Sequence, residues 1–202
     1  MEGSDPANRG TVFRTVVPEA PIERVGSGLA PTGPGWFVVN AREARWRAGH
    51  FGAFAVFENR EEEFEQVGIN IGVLQPGQPN CHYHGEVNQE DFLVLSGECL
   101  LLIEGEERRL KQWDFVHCPP WTEHVLIGAG DGPCVVLAVG SRGGEGILYP
   151  SSELAQSYNA GSLARVTTTD PLTEFLDLRP DEQFARMSAT TATQVTDPIS
   201  SR

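Results

Sequence analysis

The sequence predicts an all-β protein, a sandwich or barrel built from many short strands. Short apolar runs recur at close spacing, glycine and proline turns separate them, and residues 36–149 hold no convincing helical period. The runs fall at 36–39, 51–57, 69–74, 92–95, 99–103, 115–118, 124–127 and 134–139. Between them lie Pro76-Gly77, Ser96-Gly97, Glu104-Gly105, Pro119-Pro120 and Gly130-Asp131-Gly132. Glycine supplies φ > 0 in such turns, and proline presets φ near −65°.

The flanks read differently. Residues 1–10 are polar and expected to be disordered, 11–17 alternate like a strand, and 20–35 form a Pro/Gly-rich arm. Past residue 149, Ser151 or Ser152 is placed to cap a short helix over 153–158. Asp170-Pro171 offers a cap and a first-turn proline ahead of a helix over 172–178, and 181–187 suits a further helical turn. The layout is therefore an N-terminal arm (1–35), a barrel (36–149), a short helical extension (150–188) and a disordered tail (189–202).

Lys and Arg number 15 against 28 Asp and Glu, a net charge of −13. That balance repels phosphate backbones and anionic lipid, so neither nucleic acid nor a membrane is expected as a partner. No apolar run approaches the roughly 20 residues that span a bilayer. The N-terminus has neither the basic nor the apolar segment of a signal peptide, so a cytoplasmic location is expected. The four cysteines form no Cys-x-x-Cys pair and read as free thiols in a reducing compartment.

Chemistry concentrates in two stretches. His82-Tyr83-His84 follows the Pro76-to-Pro79 turn, and residues i and i+2 of a strand share a face. Two imidazoles can then reach one point, as a metal site needs. Glu90 opens the apolar run that ends at Gly97, and a carboxylate there is costly unless paired or coordinated. Downstream, residues 113–124 read as a strand, a proline turn and a histidine, His124, starting the next strand.

These stretches resemble the two motifs of the cupin superfamily. PGQPNCHYHGEVNQEDFLVLSG matches the first motif, and WDFVHCPPWTEH the second. The resemblance implies a double-stranded β-helix, an RmlC-like jelly-roll barrel, with His82, His84, Glu90 and His124 binding one metal ion. It also implies a homodimer. One extra residue separates His84 from Glu90, which predicts a bulged loop and leaves Glu86 as a rival ligand. Trp113 and Trp121 replace motif glycines, and Gly128 replaces its asparagine. Because tryptophan tolerates φ > 0 poorly, the turn at Pro119-Pro120 is expected to take a different shape.

Trp121, His117, Asn70 and Gln75 are further pocket candidates. Each also has an ordinary reading as a packing or surface residue. Three imidazoles and a carboxylate suit a divalent ion such as zinc, iron, manganese or nickel. The expected function is metal-dependent oxygenase or isomerase chemistry on a small organic molecule. The alternatives are a barrel that binds a small ligand around a structural metal, or a scaffold with an idle ligand set.

Overall fold

A computed structural model of the chain describes residues 16–59, 61–169 and the backbone of 176–177. The strands are β1 (Ile22–Val25), β2 (Gly28–Pro31), β3 (Arg45–Gly49), β4 (Gly52–Val56), β5 (Val67–Leu74), β6 (Gly85–Glu86), β7 (Glu90–Ser96) and β8 (Glu98–Ile103). They continue with β9 (Glu106–Lys111), β10 (Phe115–Cys118), β11 (His124–Ala129), β12 (Cys134–Ser141), β13 (Ile147–Tyr149), helix α1 (Glu153–Ser157), β14 (Val166–Thr168) and β15 (Leu176–Asp177).

One layer is a seven-stranded sheet in the order β10-β7-β12-β5-β4-β3-β15. The other is stitched from β11-β8-β9 and β14-β13-β6, joined by the single bridges Pro79↔Ile127 and His84↔His124. Two sheets wound from one antiparallel ribbon make the double-stranded β-helix. Their facing sides bury Leu74, Phe92, Val94, Leu101, Leu126 and Val136 around Cys99, Cys118 and Cys134. Each such aliphatic side chain contributes roughly 1.5–3 kcal/mol on burial. The cysteines are free, as expected, and only Cys81 is part-exposed.

The second sheet's outer face is covered by the C-terminal extension. Ala155 of α1 and Ala160 pack on Tyr83, Leu102, Val125 and Ile127. Ser152 caps α1, its side chain accepting from the Ala155 amide. The Tyr83 amide donates to the Ala160 carbonyl at 2.7 Å, so the extension grips the histidine loop.

Several expectations change. Residues 36–39 make a single bridge, Glu19↔Trp36, and no strand, with Trp36 and Val38 exposed. Of the strand expected over 11–17, only Val16 and Val17 are described, and both lie outside any strand. Of the helix expected over 172–178, only 176–177 are described; they pair in register with Arg47 and Ala48 of β3, which would otherwise leave a sheet edge unpaired. The expected disorder at 1–10 and 189–202 and the helical turn at 181–187 lie outside the described residues.

The two tryptophans correct the turn expectation. Trp121 has φ = 69°, and the Thr122 amide bonds the Pro119 carbonyl at 3.1 Å. Trp113 has φ = 74°, with the Asp114 amide on the Lys111 carbonyl at 3.0 Å. Each therefore occupies the third position of a hydrogen-bonded turn in the left-handed conformation that favours glycine. The turns keep the motif's shape and place an indole in it. At Gly128 the constraint is steric: a Cβ there would sit 2.1 Å from the Gln75 carbonyl oxygen. No helix among the described residues is long and apolar enough to cross a membrane.

Candidate metal centre

His84 and His124 stand opposite each other in an antiparallel bridge between the end of the histidine loop and the start of β11. Directly opposed residues put their side chains on one face, here the barrel interior. Glu90, first residue of β7, enters from the facing sheet. Ligand atoms of these three side chains lie within 4.8 Å of one another. Glu90 Oε2 is 3.5 Å from His84 Nε2 and 3.2 Å from His124 Nε2.

The far nitrogens settle which atom each ring offers. His84 Nδ1 lies 2.9 Å from the His82 carbonyl oxygen and His124 Nδ1 2.9 Å from that of Thr122. A carbonyl only accepts, so both Nδ1 atoms carry hydrogen, and each ring in its neutral form turns a lone pair at Nε2 toward Glu90. This is the orientation that metal-bound histidines receive from their outer partners. Three lone-pair atoms thus converge, and Glu90 Oε2 and His124 Nε2 are buried without a hydrogen-bond partner.

Such a convergence requires positive charge. Burial pushes the Glu90 carboxyl up, but the adjacent His124 and His84 rings outweigh it and hold the group at about 2. Burial lowers His124, while Cys118 and Glu90 outweigh it and raise the ring to about 10. His84 is raised too, its burial opposed by Cys81 and Glu90. Protons supply the charge in the metal-free protein; one divalent ion can replace them. Ligands about 2.1 Å from an ion stand about 3.0 Å apart at right angles and about 3.4 Å apart tetrahedrally. The two spacings from Glu90 Oε2 suit either arrangement.

His82 does not join this group. Residues 80–83 bend rather than run as a strand, so the period-2 argument that aligned His82 with His84 fails there. Its ring instead packs edge-on against Phe51 at 4.7 Å and Tyr149 at 6.0 Å and hydrogen-bonds the Ala160 backbone. Burial lowers its pKa. Of the two glutamates, Glu90 reaches the imidazoles. Glu86 lies outside the group, its carboxyl pushed to about 7 by burial and by the Glu90 charge. The extra residue before Glu90 is absorbed in the loop at 87–89, where Asn88 and Gly144 exchange two hydrogen bonds.

A cavity of about 330 Å³ opens on the centre, lined by His84, Glu90, Cys81, Asn70, Phe92 and Arg142 among others. Asn70 is one of these lining residues, and its Oδ1 is buried without a partner. Three other pocket candidates are not in this cavity. Gln75 sits by the turn at the far end of β5, its amide bonded to Gln78 Oε1. His117 points outward from β10 and pairs with Asp91 at 2.6 Å. Trp121 is half exposed, its amide donating to the Glu86 carbonyl. Sequence reasoning missed Phe92, whose ring lies 5.3 Å from that of His124, and the Arg142–Glu58 pair.

Fold and site together define a β-barrel protein with a cluster of two imidazoles and one carboxylate able to hold a metal ion inside it. Residues 70–140 match the family described as "Cupin domain", so that part of the chain is a cupin domain. Among solved structures it is similar to a sugar phosphate isomerase from Silicibacter pomeroyi, 20% identical over 65% of this chain and 78% of that one, with a TM-score of 0.47. It is also similar to the polyketide cyclase RemF from Streptomyces resistomycificus, 12% identical over 52% and 78%, TM-score 0.46. A third likeness is to an RmlC-like cupin from Shewanella frigidimarina, 12% identical over 52% and 89%, TM-score 0.45. No curated protein matches the chain.

Proposed function

We propose that this cupin is a metal-dependent enzyme of oxygenase or isomerase type acting on a small organic molecule, with His84, Glu90 and His124 holding one divalent ion. What supports it is the number of protein ligands. Four would complete a tetrahedral shell, as in structural zinc sites, whereas three leave positions open. Two histidines and a carboxylate suit Fe(II) and Zn(II), with Mn(II) and Ni(II) as further occupants. When bound, such an ion supplies Lewis acidity or, for iron, a redox centre.

The chain's own residues do the rest. Peptide carbonyls at His82 and Thr122 fix the rings. Phe92 and Phe54 give the cavity apolar walls that limit water at the centre. Asn70 Oδ1 offers an acceptor to a substrate hydroxyl or N–H.

The test is the absorption spectrum of cobalt(II)-loaded protein. Weak bands of a five- or six-coordinate ion are expected. Intense tetrahedral bands that do not respond to added azide would instead mark a closed, structural ion and favour the ligand-binding alternative.

We further take the protein to be a cytoplasmic homodimer. Its free cysteines suit a reducing compartment. In support of the dimer, Phe115, Leu93, Leu137 and Ile71 stand side by side in register across β10, β7, β12 and β5, and Phe115 is 64% exposed. The apolar row begins at the edge strand β10, where the same row of a second copy can cover it.

A further inference from the structure

The ladder that carries His84 changes register inside the histidine loop. Before the loop the chain runs antiparallel to β11: Pro79 bridges Ile127, and the Gly128 amide donates to the Gln78 carbonyl at 2.9 Å. Counting three residues on from Pro79 and three back from Ile127 sets His82 opposite His124. The chain does not keep that register. His84, two residues further on, takes the place opposite His124.

Asn80 stands where the register changes. Its amide donates to the Leu126 carbonyl at 2.8 Å, and the Leu126 amide donates back at 2.9 Å, to Asn80 Oδ1. A hydrogen-bonded antiparallel pair exchanges two such bonds between main chains. Here a side-chain oxygen stands in for the Asn80 carbonyl, the substitution that asparagine makes in turns. The pair with Leu126 is closed, and the main chain is released to bend through 81–83. Extra residues on one strand of a pair re-aim a side chain, and the one re-aimed here belongs to His84. The Cys81 thiol donates to the same oxygen at 3.3 Å, and Cys81 Sγ lies 3.5 Å from His84 Nδ1. One carboxamide therefore holds both the chain that carries His84 and the thiol against its ring.

We propose that Asn80 is the positioning residue of the candidate centre, closing the ladder with its side chain so that His84, and not His82, meets His124. The assignment rests on the metal-centre reading for what the aligned rings hold. With an apolar residue at 80, the Leu126 amide turns to the main-chain carbonyl, which continues the first register and favours His82.

The test reads register and metal separately in the full chain, using Asn80→Leu, Asn80→Gln and Asn80→Asp. Register is read by amide hydrogen exchange of metal-free protein. The His84 amide, bonded to the His124 carbonyl, is compared with the Val94 amide, bonded to the Asp114 carbonyl. Relative to Val94, protection at His84 should fall about tenfold in Asn80→Leu and Asn80→Gln. It should stay near wild type in Asn80→Asp, whose carboxylate accepts from both Leu126 and Cys81. A general loss of stability lowers both amides together. Metal is read by zinc(II) titration against a competing chelator. Affinity should fall about 10–100-fold in the Leu and Gln variants, the loss typical for an outer partner of a metal ligand, and hold in Asn80→Asp.

Unchanged protection at His84 in Asn80→Leu overturns the assignment. So does a fall in protection that leaves zinc affinity at the wild-type value. If protection falls as expected and wild-type protein binds no zinc, the metal-centre reading fails and the placing of His84 by Asn80 stands. If zinc binds and neither quantity moves in any folded variant, Asn80 positions nothing and the metal centre stands. Asn80→Gln carries the amide one methylene too far and reads the same two quantities where Asn80→Leu does not fold.

Discussion

His84 and His124 exchange both backbone hydrogen bonds, the His84 amide to the His124 carbonyl at 3.1 Å and the reverse at 2.7 Å. The two candidate ligands are therefore aligned by strand register rather than by loop flexibility. A one-residue slip would send one imidazole out of the barrel. The candidate centre is as exact as the pairing of two sheet segments that lie forty residues apart in the chain.

Histidine variants should separate the first motif's two rings. His84→Ala and His124→Ala are expected to abolish bound metal by elemental analysis, whereas His82→Ala should keep close to the wild-type content. Loss of metal in His82→Ala equal to that in His84→Ala would restore the four-ligand arrangement.

The metal-free protein should carry a pH signature. Glu90 is held at about 2, below its unfolded value of 4.5, so its contribution is present above pH 4.5 and lost as pH falls toward 2. His124 is raised to about 10 from 6.5, so its contribution is present below pH 6.5 and lost as pH rises toward 10. Melting temperature of metal-free protein should thus peak between about pH 4.5 and 6.5. Metal-loaded protein should gain stability through the upper range, because metal binding needs neutral imidazoles. A metal-free curve still rising from pH 6.5 to 9 would contradict the charge pattern of the cluster.

Trp113 tests the left-handed turn. Its side chain is 69% exposed, so little packing is lost on replacing it. Trp113→Gly should be more stable than Trp113→Val by about 1–2 kcal/mol, the cost of φ > 0 for a residue with a Cβ. Equal denaturation midpoints would show that the turn relaxes freely.

Phe115→Glu should halve the mass seen by sedimentation equilibrium if the apolar row joins two copies. A wild-type monomer would remove the dimer from the proposal.

Much of this architecture was legible in the residues. Phe115-Val116-His117-Cys118 alternates exposed and buried in step with its pattern, and Ser152 announced α1. Strand β9, Glu-Glu-Arg-Arg-Leu-Lys, escaped notice because nearly every side chain faces solvent and no apolar period survives. Strand β3 hid for another reason: its arginines line a cavity. Residues 36–39 misled in the opposite sense, apolar yet exposed. At the site, the resemblance implied four ligands, of which His84, Glu90 and His124 come together, while His82 stands apart because alternation does not extend through a bend. Thr122 contributes only a carbonyl, and Phe92 and Arg142 carry no local signal of a site.

If His84, Glu90 and His124 hold an ion, the Ala160 carbonyl that takes the Tyr83 amide makes the segment after Tyr149 its thermodynamic partner. Linkage is reciprocal: if the docked extension strengthens ion binding by some factor, the ion strengthens docking by the same factor. Protease nicking beyond Tyr149 would then release metal, and chelation would hasten nicking. Such an ion and the docked segment would report on one another across the thickness of a sheet.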